Sequence, residues 1–342
     1  MTSARSADDA AAGTLETFDV VIVGAGPCGL AAAIATQRVG FRTLVIDRGA
    51  IVNGIASYPT YMTFFSTAER IAIGGVPFLI ATEKPSRRDA LAYYRGVATH
   101  FGLDVRQFTT VESLERIDDA LRAPWYAHVR ARSGRATTIA SRAVVVATGY
   151  FGRPNLLGVP GETLPHVRHG YVEGHDAWNQ DVVIVGGGNS AVDAALDMYR
   201  AGGRVTLVHF ESAVDPNVKP WVRPEIEARL RDGSIGAVFG ARVVAIEPEC
   251  VVVRTAGGEQ RVLASHVYTM TGYLPETGLL EAVGVPVDRE TGIPAHDPTT
   301  MATPVEGIYL AGVIASGLKA NRIFIENGRD HGDLIAAHLQ SA

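Results

Sequence analysis

An α/β fold made of two copies of one strand–turn–helix plan, one inserted within the other, is the architecture this sequence predicts. Three observations carry that reading. The apolar run Phe18-Asp19-Val20-Val21-Ile22-Val23 enters the loop Gly24-Ala25-Gly26-Pro27-Cys28-Gly29 and then a helical stretch from Leu30 to Ala35. The same grammar returns at Asp181-Val182-Val183-Ile184-Val185, Gly186-Gly187-Gly188-Asn189-Ser190-Ala191 and the helical run Val192–Met198. Each copy then proceeds through a second strand and a meander to a segment ending in Thr-Gly, at Thr148-Gly149 and Thr271-Gly272.

The glycines of such a loop have separate duties. The first, Gly24 or Gly186, makes the tight turn. The second, Gly26 or Gly188, lets backbone approach a pyrophosphate, and the third, Gly29, lets helix pack on strand; Ala191 replaces it in the second loop, as the pattern allows. The pyrophosphate then rests on a helix N-terminus, whose free N–H groups and dipole favour anions. One loop of this kind can be an ordinary helix-capping turn, but strand before and helix after, twice over, point to two Rossmann-like dinucleotide sites. The second strand of the first unit, Thr43 to Asp47, ends in an acidic residue about 20 positions on, placed to bind an adenosine ribose hydroxyl. Its counterpart is Arg204-Val205-Thr206-Leu207-Val208-His209. Two dinucleotides on one chain imply electron transfer between them, with a flavin and a nicotinamide as the usual pair.

The intervening elements follow in order. Residues 48–68 read as a loop rich in aromatics, Tyr58 to Ser66, which either simply packs or walls a flavin, with Thr63 and Ser66 as hydrogen-bonding candidates there. Ser86 to Phe101 reads as an amphipathic helix capped by Ser86, with Asp89 at the third position. Val105 to Arg132 alternates as a small meander, and Ala143–Ala147 is a buried parallel-type strand. Pro154, Pro160, Gly161 and Pro165 mark a crossover. In the second unit Val251–Val253 and Val262–Tyr268 read as strands, and Gly307–Val313 and a helix from about Phe324 close the chain. The expected organisation is a tail at 1–16, an FAD-binding domain at 17–155 and 274–342, a crossover linker at 156–175, and an NAD(P)H-binding domain at 176–273.

Composition bounds the rest. The chain has 342 residues, 47% of them hydrophobic and 20% charged, as in a soluble globular protein. A net charge of −5 gives no reason to expect nucleic acid or an anionic membrane as partner. No apolar stretch approaches a membrane span, and the first residues lack the basic and apolar regions of a signal peptide, so a cytoplasmic protein is expected. There are two cysteines, Cys28 and Cys250, with no CxxC or zinc spacing and no disulfide framework.

These residues resemble the thioredoxin-reductase-like flavoproteins along nearly the whole chain: the FAD loop at Gly24–Gly29, Ala147-Thr148-Gly149, the nicotinamide loop at Gly186–Ala191, and Tyr309–Gly312. A narrower resemblance, to the bacillithiol-disulfide reductase family, rests on Gly26-Pro27-Cys28-Gly29-Leu30, Tyr58-Pro59-Thr60, Thr63-Phe64-Phe65-Ser66, Val76-Pro77-Phe78, Lys219-Pro220-Trp221, Ala311–Ala315 and Ile323–Gly328. It implies an FAD enzyme that uses NADPH to reduce a small-thiol disulfide through one cysteine in the FAD loop, here Cys28. Homo-oligomers are common in this architecture. Thioredoxin reductases carry an acidic residue after the C-terminal Ala-Gly, where this chain has Val313; the narrower family shares the apolar residue. By the same resemblance Gly312, Val313 and Arg48 join the flavin site, and His209 the nicotinamide site. NADPH enzymes of the group place arginine just past the second strand, whereas this chain has His209-Phe210-Glu211. A carboxylate there opposes a 2′-phosphate and suits a free ribose hydroxyl, which points toward NADH unless Arg204, Lys219 or Arg223 reaches round.

Cys28 has two readings: a nucleophile whose pKa is lowered at a helix N-terminus, or a small residue filling the start of that helix. Cys250 reads as structural, and His166, His169 and His175 as surface residues. Lys219 and Arg223 read as solvated loop charges, with an anchoring role for a phosphate or acidic substrate as the sharper alternative. Asn321, Arg322 and Glu326 fall where the last helix meets the flavin, its N-terminal dipole aimed at developing negative charge. Two rival functions stand beside disulfide reduction: an NAD(P)H oxidase or flavin-dependent monooxygenase, and a non-catalytic redox sensor.

Overall fold

The computed structural model describes residues 15–117 and 124–341; residues 1–14 of the expected tail lie outside them, and Glu16, assigned to that tail, instead begins the first strand by pairing in the sheet. The chain opens with β1 (Glu16–Val23), α1 (Pro27–Arg38) and β2 (Thr43–Ile46), then two short helices, α2 (Asn53–Ala56) and α3 (Ala68–Ile71). α4 (Arg87–His100), β3 (Asp104–Arg106), β4 (Thr109–Arg116), β5 (Trp125–Ala131) and β6 (Ala136–Val146) follow. Next come β7 (Arg153–Pro154), β8 (Val167–Arg168), β9 (Asp181–Val185), α5 (Asn189–Arg200), β10 (Arg204–Val208), α6 (Arg223–Arg231) and β11 (Gly236–Val238). The rest is β12 (Arg242–Glu247), β13 (Cys250–Thr255), β14 (Gly258–Leu263), β15 (His266–Thr269), β16 (Tyr273–Leu274), α7 (Gly278–Ala282), β17 (Ile308–Leu310), α8 (Ile325–Gly328) and α9 (His331–Ser341).

Two sheets organise these elements. A seven-stranded sheet runs β3-β2-β1-β6-β5-β4, with β17 also on β6. A five-stranded sheet runs β11-β10-β9-β15-β8, all of it parallel. Val20–Val23 and Val182–Val185 are buried along their length, as strands covered on both faces must be. The loops at Gly24 and Gly186 therefore leave the C-terminal ends of central strands, where ligands bind in open α/β sheets.

β6 does more than the short apolar run predicted. Along one edge it pairs parallel with β1 from Ile139 to Val146; along the other its first half pairs antiparallel with β5 and its last three residues pair parallel with β17. One long strand thus joins the meander to the nucleotide-binding part of the sheet. β3, expected within the meander, instead pairs parallel with β2. The stretch read as one strand from Val262 to Tyr268 is two: β14 ends the antiparallel sheet β12-β13-β14, and β15 joins the parallel one. Ser265 makes the switch, its backbone and hydroxyl both bonding Asp181. The crossover segment 156–175 contributes β8 to the second sheet. β7 and β16 pair as a ribbon where the chain enters and leaves the second unit.

The predicted cap of α4 is present as a full capping box: Ser86 Oγ accepts from the Asp89 N–H and the Asp89 carboxylate accepts from the Ser86 N–H. The closing helix is two pieces, α8 and α9. α9 lies so close to α1 that a Cβ on Gly332 would fall 2.6 Å from the Ala32 Cα. Among the described residues no helix is long and apolar enough to cross a membrane.

Candidate dinucleotide sites

The three glycine duties are visible as three kinds of space. At Gly24, φ is +116° and a Cβ would lie 2.3 Å from the Ala147 carbonyl oxygen, so the turn admits no side chain. At Gly29 a Cβ would lie 2.0 Å from the Gly24 carbonyl oxygen, which is the close packing of helix on strand. At Gly26 a Cβ would meet nothing within 4 Å. The second loop repeats the pattern. Gly186 has φ +139° and a Cβ would lie 2.4 Å from the Met270 carbonyl oxygen, whereas Gly188 opens on empty space. Both helices lack a side-chain cap at Gly26 and Gly188, which leaves their first N–H groups for an anion. Pro27 takes a position in α1 whose N–H would have been one of these orphans.

The carboxylate of Asp47 clasps this loop. One oxygen accepts from the Ala25 N–H at 2.7 Å and the other from the Gly49 N–H at 2.7 Å. Each oxygen keeps a lone pair for a ribose hydroxyl. Thr148 Oγ1, beside the Gly24 turn, is buried without a hydrogen-bond partner, the condition of a group that a ligand satisfies. Gly149 has φ +78° and open space above it. The residues therefore fit a dinucleotide: a cleared approach, unpaired N–H groups, a ribose carboxylate and an orphaned hydroxyl.

The other residues expected at the flavin site make contacts within the protein. Arg48 pairs with Glu276 at 2.9 Å. Thr63 is exposed and bridges Ser86. Ser66 donates to Glu326, which also pairs with Arg70 at 3.2 Å. Around them Tyr58 packs edge-on against Phe64 and Phe151, at 6.2 and 5.6 Å, so the aromatic loop is tied to the chain after β6. The dipole expected from the last helix is small, because Glu326 belongs to the four-residue α8.

Cys28 stands on α1 with its side chain against the C-terminal segment. A Cβ on Gly312 would fall 3.0 Å from its sulfur, and one on Gly328 2.9 Å. This overturns the expectation of a lowered thiol pKa. Burial pushes the thiol up to about 12, and the nearby Asp330 carboxylate adds to the shift. Desolvation favours the neutral thiol. Gly312, with φ +76°, donates its N–H to His331 Nδ1 at 3.2 Å, and Val313 is the second residue of the 3-10 turn Gly312–Ser316. Gly328 entered the sequence reading only as the end of the Ile323–Gly328 motif, with no link to Cys28, and His331 did not enter it, since neither lies in a recognisable spacing with Cys28.

In the second site the Asn189 side chain pins the following loop, accepting from the Lys219 N–H and donating to the Asn217 carbonyl. Ser190 is exposed at the helix start, and Ala191 is buried in the third position. His209 is buried, its ring against Gly187, and Nδ1 has no partner. Burial also holds its pKa below the ordinary value. Cys250 is buried beside Glu247 and Arg261 in the antiparallel sheet. His169 is half-buried rather than fully at the surface: its ring bonds Thr269 at 2.5 Å and lies 3.9 Å from buried Glu162. His166 Nε2 is likewise buried, while His175 is exposed as expected.

A family model described as pyridine nucleotide-disulphide oxidoreductase matches residues 21–312. Bacilliredoxin reductase Bdr of Bacillus subtilis (strain 168) is 43% identical over 322 residues, covering 93% of this chain and 96% of that protein. The structure is similar to that of bacillithiol disulfide reductase Bdr from Bacillus cereus, with a TM-score of 0.92, 44% identity, and coverage of 95% and 99% of the two chains. The Staphylococcus aureus protein of the same description gives a TM-score of 0.87 and 37% identity, with 96% and 99% covered.

Proposed function

The chain belongs to the pyridine nucleotide-disulphide oxidoreductase family, and we propose that within it this protein reduces the disulfide of a low-molecular-weight thiol of the bacillithiol type. The observation that carries the reading is the pair of open, uncapped helix starts at Gly26 and Gly188, with the Cys28 thiol on the first of them. FAD and NAD(P)H, when bound, supply the two electrons that disulfide reduction consumes. Asp47, the Gly24–Gly29 backbone and Thr148 hold the flavin nucleotide. The Gly186–Ala191 backbone and Asn189 hold the nicotinamide nucleotide.

Cys28 is the chain's candidate for covalent work, because Cys250 lies in the antiparallel sheet of the second unit and no CxxC pair exists. Attack by its thiolate on one sulfur of the disulfide forms a mixed disulfide and releases one thiolate. A thiol held at about 12 is protonated at neutral pH, so its proton must leave before attack. That same observation favours a second reading of Cys28 alone, in which it packs the FAD loop and the disulfide is reduced without a covalent enzyme intermediate.

Anaerobic stopped-flow spectroscopy tests both. The flavin-loaded protein is bleached with NADPH or NADH, and bacillithiol disulfide is then added. Disulfide-dependent return of the yellow colour is expected. Bleaching with no such return would defeat the reductase reading. Cys28→Ser that bleaches normally but no longer recovers supports the covalent route, and unchanged recovery assigns Cys28 to packing.

A further inference from the structure

We infer that Arg242 carries the contact to the adenosine 2′-phosphate of the nicotinamide nucleotide, in place of an arginine after β10. The inference rests on the assignment of Gly186–Ala191 as the nicotinamide site. The loop at the C-terminal end of β10, His209-Phe210-Glu211, is where that phosphate would be read, and its one formal charge is negative.

The three cations that the sequence offered are engaged elsewhere. Arg204 stands at the opposite end of β10, bound to Asp181 and Asn179. Lys219 pairs with Asp193 at 2.5 Å. Arg223 donates to the Asp215 carbonyl and pairs with Glu227.

Arg242 arrives from a different element. The chain before β12 is stitched to the loop, the Gly240 N–H donating to the Glu211 carbonyl at 2.8 Å and the Ala241 N–H to the His209 carbonyl at 3.0 Å. One residue later the Arg242 guanidinium lies over the Phe210 ring, 5.3 Å from its centroid. Both side chains are exposed. A guanidinium stacked on a ring spends its face and keeps its N–H donors at the edge, in the fork that matches phosphate bidentately. Neighbouring His209 is buried, and burial lowers its pKa, so Arg242 is the exposed cation at this loop that can offset Glu211 and a phosphate together. Phe210, in the loop where the wider group places arginine, becomes the platform that orients an arginine from β12.

Calorimetric titration of the flavin-loaded protein with NADP⁺ and NAD⁺ tests this without turnover. The wild type should bind NADP⁺ more tightly. Arg242→Ala should weaken NADP⁺ about ten- to hundredfold, as expected for losing one charge-assisted pair, and leave NAD⁺ unchanged. Phe210→Leu should give a smaller, NADP⁺-selective loss, because the guanidinium remains but its platform does not. Equal losses for both nucleotides, or none, would overturn the role of Arg242. A wild-type preference for NAD⁺ that Glu211→Gln erases would overturn it in favour of a ribose-binding carboxylate. Failure of the wild type to bind either nucleotide would instead remove the site assignment itself, and failure to reduce a disulfide would leave the nucleotide preference untouched.

Discussion

Cys28 and Gly328 meet as thiol against bare backbone: a Cβ on Gly328 would lie 2.9 Å from the Cys28 sulfur and 3.2 Å from the Gly312 Cα. Absence of a side chain on Gly328 is what makes room for the thiol. Gly328→Ala should therefore destabilise the protein by about 1–3 kcal/mol, the usual cost of overpacking. Cys28→Ala should return part of that loss, because it removes the sulfur but not the Gly312 backbone. A urea double-mutant cycle measures the coupling. Strict additivity of the two changes would show that the residues do not share the space.

The same burial fixes a pH signature. Burial pushes the Cys28 thiol up from its ordinary 9.0 to about 12, so between those values the folded chain keeps a proton that the unfolded chain has released. The stability this contributes is whole below pH 9 and is lost as pH rises through 12. Cys28→Ala should flatten that part of the stability–pH curve. In a flavin-free Cys250→Ser background, iodoacetamide should label Cys28 slowly at neutral pH, with a rate that climbs without levelling past about pH 9, where an ordinary thiol has ionised. Rapid labelling that levels off near neutrality would contradict the burial.

The nucleotide-binding skeleton was legible because its rules are local. Strand, glycine turn, helix and an acidic strand end lie close together in sequence, and each glycine's duty follows from backbone geometry. Contacts that cross the chain were not. Gly328 and His331 come to the FAD loop through folding of the C-terminal segment, and Arg242 reaches Phe210 because a loop after β11 is stitched to one after β10. Nothing in periodicity marks such pairs. The pKa of Cys28 was not legible for a related reason: a helix N-terminus can be read from sequence, but what the C-terminal segment packs around a thiol on it cannot. The break at Ser265 was hidden by two apolar segments that follow one another yet belong to different sheets.

Asp47 ties two backbone amides at once, and its removal should be felt in both fold and cofactor. Asp47→Ala leaves the Ala25 and Gly49 N–H groups without their acceptor, at a cost of about 1–3 kcal/mol for groups out of water. Asp47→Asn keeps the shape but turns an amide N–H₂ toward one of the two donors. Both variants should be purified with less flavin than the wild type, the alanine form also showing a lower urea midpoint. A full flavin complement in Asp47→Ala would remove the ribose role.

Gly24 and Gly26 are two residues apart and should respond in opposite ways. Gly24→Ala drives a methyl to 2.3 Å from the Ala147 carbonyl oxygen at a φ of +116°, so overpacking and backbone strain together should cost about 3 kcal/mol or more. Gly26 has an extended backbone, φ −72° and ψ 172°, which any residue adopts, and a methyl there meets no protein atom within 4 Å. Gly26→Ala should therefore leave the thermal midpoint of the flavin-free protein unchanged or slightly raised, since alanine loses less chain entropy on folding. It should nonetheless weaken FAD in a fluorescence titration, because the methyl stands where backbone must come close to pyrophosphate. If Gly26→Ala bound flavin as the wild type does, the open space above Gly26 would not be the pyrophosphate's path.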